Sequence, residues 1–95
     1  MKKRLSVVIP AYNEEGIITQ TIATISSVLD SADIPFELLF VDDGSRDATW
    51  QLICTAAATD PRVRGISFSR NFGKEAAIFA GMSHAKGDGC VIIDC

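Results

Sequence analysis

Apolar positions along the chain fall into two alternating rhythms. Leu5-Ser6-Val7-Val8-Ile9 is a β-branched run, which predicts a first strand over residues 5–9 that Pro10 stops. Ile18, Ile22, Ile25 and Leu29 then recur at steps of four, three and four, one apolar face of a helix. Asn13 is placed to cap that helix, with Glu14 and Glu15 in its first turn, and Asp30 to Pro35 is a polar turn out of it. Residues 36–41 form a second strand, a near-continuous apolar run typical of a strand buried on both faces. Ser45 is placed to cap the next helix, over about Asp47 to Ala58, with Asp47 in its first turn and Ala48, Leu52 and Ile53 facing inward. Val63 to Phe68 is a weaker third strand, and Glu75 to Ala85 a third helix with Gly87 as its C-terminal cap. Residues 90–95 make a fourth strand.

The order is β-α-β-α-β-α-β with short connections, so the expected fold is α/β, a Rossmann-like parallel sheet with right-handed crossovers. The 95 residues correspond to one small domain or a piece of a larger one. Because no turn or cap follows Asp94-Cys95, we expect residues 1–95 to be the front half of a larger domain. Its last strand would then be an exposed edge open to self-association.

Composition narrows the function. A formal net charge of −3 argues against a basic nucleic-acid groove or a polybasic membrane patch. The apolar run behind Lys2-Lys3-Arg4 is too short for a signal-peptide core or a membrane span. Cys54, Cys90 and Cys95 lack CxxC spacing and cannot complete a usual zinc site with His84, so they read as buried free thiols of a reducing compartment.

Chemistry is expected where the carboxyl ends of the strands bring Pro10 to Glu14, Asp42 to Ser45 and Asp94-Cys95 to one edge of the sheet. Tyr12 offers a flat face for stacking a base, and Glu14 and Asp43 offer acceptors for ring N–H groups or ribose hydroxyls. Phosphates beside so many carboxylates call for a divalent cation, for which Asp94 is the obvious oxygen ligand. Lys74, opening a helix after Gly73, can balance phosphate charge. Each has a plainer counterpart. Asn13 and Glu14 can be caps, Tyr12 can cover core, Lys74 can be a solvated helix start, and one of Asp42 and Asp43 can simply solvate a turn.

Four ordered stretches, Pro10-Ala11-Tyr12-Asn13-Glu14, Val41-Asp42-Asp43-Gly44-Ser45, Asn71-Phe72-Gly73-Lys74 and Ile92-Ile93-Asp94, resemble family 2 inverting glycosyltransferases. Residues 71–77 look most like the polyprenyl-phosphate branch, which includes dolichol-phosphate mannose synthase and bactoprenol glucosyltransferases. The resemblance implies the N-terminal part of a GT-A fold and a nucleotide-sugar site. Pro10, Tyr12, Glu14, Val41 and Asp43 would hold the nucleoside, with UDP-glucose favoured over a GDP-sugar. Asp94 would open the D-x-D metal motif for Mg²⁺ or Mn²⁺, with Cys95 its middle residue. The sugar would pass with inversion to a polyprenyl phosphate, and the full-length parent would work at the cytoplasmic face of a membrane while this chain itself is cytoplasmic.

The second acid of that motif is absent from the sequence, so the metal site is expected to be incomplete and the isolated chain inactive. No GxGxxG follows the first strand, which sets aside a dinucleotide dehydrogenase, and Gly73-Lys74 lacks the rest of a P-loop. A receiver-type signalling domain would carry its acidic pair after the first strand, not the second. The remaining rival is a non-catalytic nucleotide-binding or assembly module.

Overall fold

In a computed structural model, which describes residues 3–94, seven elements alternate along the chain. They are β1 (Leu5–Ala11), α1 (Ile18–Ser31), β2 (Phe36–Asp42), α2 (Thr49–Thr59), β3 (Val63–Ser67), α3 (Lys74–His84) and β4 (Gly89–Ile92). All strand pairs are parallel and the sheet order is β3-β2-β1-β4. The chain runs outward from β1 to β3, then returns across the sheet to place β4 on the other side of β1. The expected fourth-strand residue Cys95 lies outside the described residues.

β2 is buried along its whole length, which is why its sequence shows no alternation. Val7, Ile9 and Ala11 of β1 and Phe36, Leu38 and Phe40 of β2 pack with Ile18 of α1 and Ile53 of α2 in the larger core. The opposite face carries a smaller core in which Val8 and Val41 meet Ala77 of α3. Gly81 lets α3 lie close here, since a Cβ at that position would stand 2.3 Å from Val8 Cγ1. The face of α1 read from the periodicity is the one used: Ile18 is buried, and Ile22, Ile25 and Leu29 pack against the core.

Pro10 does not stop β1, which continues to Ala11 opposite Asp42. The ladder explains this. Val8 accepts from Ile93 N–H on the β4 side and Ala11 accepts from Asp43 N–H on the β2 side. Main-chain groups alternate sides, so the missing N–H of Pro10 faces β4 beyond Ile92, its last paired residue.

Gly87 is not a left-handed cap, because among the described glycines only Gly44 and Gly73 have positive φ. It is needed for close approach instead: a Cβ there would sit 2.6 Å from Ser6 Oγ and 2.7 Å from Arg4 O. Cys54 and Cys90 are free, as expected, but exposed and not buried. Cys54 follows the inward Ile53 on α2, and Cys90 lies on β4, all four residues of which are exposed.

A buried ionic cluster ties the amino-terminal end of the sheet together. Glu37 is 2% exposed and accepts from Ser6 Oγ (2.6 Å), Lys86 N–H (2.6 Å) and Arg64 Nη1 (2.6 Å). Gly87 N–H in turn donates to Ser6 Oγ at 2.8 Å. Burial alone pushes the Glu37 carboxyl up, but the Ser6, Lys86 and Arg64 hydrogen bonds and the guanidinium charge outweigh it and hold the pKa at about 2.

Candidate functional site

At the carboxyl ends of β1, β2 and β4 lies an open cleft of about 280 Å³, lined by Pro10, Ala11, Tyr12, Glu14, Asp43, Lys74 and Asp94. Six of the seven residues singled out from the sequence therefore line one cavity. The seventh does not. The Val41 side chain is fully buried against Val8 and Ala77, so it supports the cleft from beneath without lining it. Ala11 was not foreseen, having no functional group to signal it.

The two loops carrying Tyr12 to Glu15 and Ser45 to Ala48 are stitched to each other. Asn13 N–H donates to Ser45 Oγ (2.9 Å) while Arg46 N–H donates to Asn13 Oδ1 (2.9 Å). Glu14 N–H donates to Thr49 Oγ1 (2.8 Å), Glu15 N–H to Asp47 Oδ2 (3.3 Å), and Ala48 N–H to Glu15 Oε2 (3.3 Å). Asn13 sits at φ 53°, a left-handed conformation that asparagine tolerates. Asn13 and Ser45 thus cap the opposite loop and not their own helices. The helices start later than expected, at Ile18 and Thr49, and neither has an acid in its first turn. Asp47 precedes α2, its Oδ1 accepting from Thr49 N–H (2.9 Å) and Oγ1 (2.5 Å). Partial desolvation pushes the Asp47 carboxyl up, and the bonds from Thr49 and Glu15 more than offset it, leaving its pKa below the ordinary value.

Neither Asp42 nor Asp43 solvates a turn: they are 2% and 5% exposed and face opposite sides of the sheet end. Asp42 Oδ2 accepts from Ser45 N–H at 3.3 Å, and its Oδ1 is buried without a partner among the described residues. Asp43 turns toward α3, its oxygens accepting from Phe72 N–H (2.8 Å) and Gly73 N–H (3.1 Å). Asn71 Nδ2 donates to Asp43 O at 3.2 Å. Asp43 therefore fixes the segment that delivers Lys74, while a carboxylate with about four lone-pair sites keeps acceptor capacity toward the cleft. Gly44 is required at this junction: φ is 74° and a Cβ would stand 2.3 Å from Arg70 C. Sequence reading missed this second function of Asp43 because its partners lie 29 and 30 residues away.

Across the mouth of the cleft, Lys74 Nζ pairs with Asp94 Oδ1 at 2.5 Å. Among the described residues no three His, Cys, Asp or Glu side chains group to hold a metal. Asp94 nonetheless supplies a hard oxygen that already attracts a cation. Mg²⁺-type ions bind through one or two carboxylates with substrate phosphates completing the shell. The donor set fits a cation shared with a diphosphate, not an all-protein cage.

A parallel sheet with a cleft at its carboxyl ends, lined by an aromatic ring, carboxylates and one lysine, is the arrangement in which open α/β domains bind their ligands. The chain belongs to glycosyl transferase family 2, whose model matches residues 6–95. It is 43% identical over 91 residues to the bactoprenol glucosyl transferase of Shigella phage SfV, covering 96% of this chain and 30% of that protein. Among solved structures it resembles the mannosyltransferase PcManGT of Pyrobaculum calidifontis in complex with GDP-Man and Mn²⁺. The TM-score is 0.82 and the identity 28%, over 99% of this chain and 28% of that one. Staphylococcus aureus TarS 1-349 in complex with UDP-GlcNAc superposes with TM-score 0.80 and 26% identity, over 99% of this chain and 26% of that one. The architecture is thus that of the GT-A glycosyltransferases. The chain spans less than a third of the length of the curated relatives it matches, 28% and 30% for two of them.

Proposed function

We propose that residues 1–95 are the nucleotide-sugar-binding half of a transferase that moves a sugar, glucose from UDP-glucose, onto a polyprenyl phosphate with inversion. The observation that carries this reading is the convergence of Pro10, Tyr12, Glu14, Asp43, Lys74 and Asp94 on one cleft. Tyr12, 43% exposed, presents a ring for the base; Glu14 and Asp43 accept from its N–H groups or from ribose hydroxyls. Lys74 and Asp94 lie at the mouth, where the diphosphate would sit. An anionic phosphate oxygen of the acceptor attacks the anomeric carbon as the bond to the nucleotide diphosphate breaks on the opposite face, so no strong general base is required. Mg²⁺ or Mn²⁺, when bound, would supply charge stabilisation to the departing diphosphate.

Support for the donor and acceptor comes from the relatives' names: bactoprenol glucosyl transferase for the lipid and the sugar, and a UDP-sugar complex for the nucleotide. On this reading the full-length reaction would run at a membrane surface, on its cytoplasmic side. No helix among the described residues is long and apolar enough to cross a membrane. A second reading for this chain alone is a module that binds nucleotide without turning it over, the Asp94 carboxylate being held by the Lys74 ammonium at 2.5 Å.

Calorimetric titration with UDP, UDP-glucose and GDP-mannose, each with and without Mn²⁺, tests both. We expect metal-dependent binding of the UDP ligands, weakened roughly tenfold in Tyr12→Ala by loss of about 1–3 kcal/mol of stacking. Absence of binding by all three at millimolar concentration would overturn the site. Turnover of UDP-glucose by this chain alone would overturn the expectation that it binds without catalysing.

A further inference from the structure

Lys74 begins α3 and Asp94 follows β4, so the pair joins the start of α3 to the end of β4 at the cleft mouth. Its side chains are 58% and 69% exposed, and neither has another charged partner among the described residues. An ammonium at 2.5 Å occupies the oxygen that a divalent cation would take at closer range. Two cations cannot share that oxygen without repelling each other. The pair is solvent-exposed, however, and such pairs are weak enough to be exchanged. Lysine suits the exchange, being a point charge on a flexible stem with no planar fork to hold it in place.

We infer that Lys74 and a divalent cation compete for the Asp94 carboxylate, so that Lys74 is a resident counter-ion which metal arrival releases toward the diphosphate. The inference rests on the reading of Asp94 as the metal-binding acid. While Lys74 holds Asp94 the ammonium is engaged and Glu14 and Asp43 leave the wall anionic, so a diphosphate is repelled. Metal binding neutralises Asp94 and frees Lys74 in one step, adding two positive groups to the place the diphosphate enters. Metal and nucleotide therefore bind with positive coupling, and the coupling is reciprocal. Part of it comes from the lysine and not from direct metal–phosphate bonding.

The test measures Mn²⁺ binding by the paramagnetic resonance of the free ion, with UDP as the nucleotide probe, on the wild type, Lys74→Gln and Asp94→Asn. Both side chains are exposed, and circular dichroism checks that each variant keeps the fold. Lys74→Gln is expected to tighten Mn²⁺ binding in the absence of nucleotide roughly two- to fivefold, the range an exposed ion pair allows. The same variant should weaken UDP binding at saturating Mn²⁺. Asp94→Asn should lose the Mn²⁺ site. If Asp94→Asn loses the site but Lys74→Gln leaves Mn²⁺ affinity unchanged, the competition is refuted and the metal reading stands. If Asp94→Asn binds Mn²⁺ as the wild type does, the metal reading itself fails, and the competition with it.

Discussion

Replacing Glu37 by Gln keeps the shape of a fully packed side chain and removes its charge. In the native protein that carboxylate receives the Ser6 hydroxyl, the Lys86 N–H and the Arg64 guanidinium, all at 2.6 Å. Its pKa falls from 4.5 to about 2, which corresponds to about 3 kcal/mol of stability at neutral pH. Because the native pKa is depressed, this stability is fully present above about pH 4.5 and is lost as pH falls toward 2. In Glu37→Gln the amide can accept on one side only, and its NH₂ group would face a donor on the other. The variant should unfold about 3 kcal/mol more easily in urea at pH 7, a large part of the 5–15 kcal/mol typical of a domain. The gap between wild type and variant should then shrink by about 1.4 kcal/mol per pH unit between pH 4.5 and 2. A gap that stays constant from pH 7 to pH 3, or a variant as stable as the wild type at pH 7, would refute the reasoning. Carbon-13 NMR of the Glu37 carboxyl gives an independent check, with a midpoint near 2 expected.

Gly44→Ala should destabilise the protein by more than the ~1 kcal/mol of an unfavourable positive φ, because the new methyl meets main chain at Arg70 and Asn71. A melting temperature within 1–2 °C of wild type, roughly the shift of a few tenths of a kcal/mol, would contradict that contact. The outer edge of β4 is unpaired among the described residues, and Val91, Ile92 and Ile93 are 41%, 43% and 36% exposed. We expect mass by light scattering to rise with concentration as copies pair through this edge, and a constant monomer mass at high concentration would count against it.

The element order was legible because burial writes itself into local sequence. β2 is apolar from Leu38 to Val41 since both its faces are covered, and α1 repeats its isoleucines since one face is. Loop chemistry was less legible. Asn13 and Ser45 are residues that commonly cap helices, and reading them locally made them helix caps, whereas each bonds the opposite loop 32 or 33 positions away. The same limit hid Glu37, whose partners are drawn from β1, β3 and the turn before β4, and hid the demand for a glycine at 87. At the cleft, strand-end geometry located Tyr12, Glu14, Asp43 and Asp94 together and Lys74 followed from its place at a helix start after Gly73, whereas Val41, implied by the family resemblance alone, points into the core.

The cross-stitching between the β1–α1 and β2–α2 loops bears on how a ligand is received. A wall built from free loops would have to be ordered at the moment of binding, and each immobilised side chain would subtract from affinity. Here the backbone beside Tyr12 and Glu14 is already fixed by hydrogen bonds from and to Asn13, Ser45, Arg46 and Thr49. Ordering of that wall belongs to folding, and the moving parts left for recognition are side chains at the mouth. Association with a nucleotide should therefore proceed in a single kinetic phase, governed by charge at the entrance and not by closure of a loop.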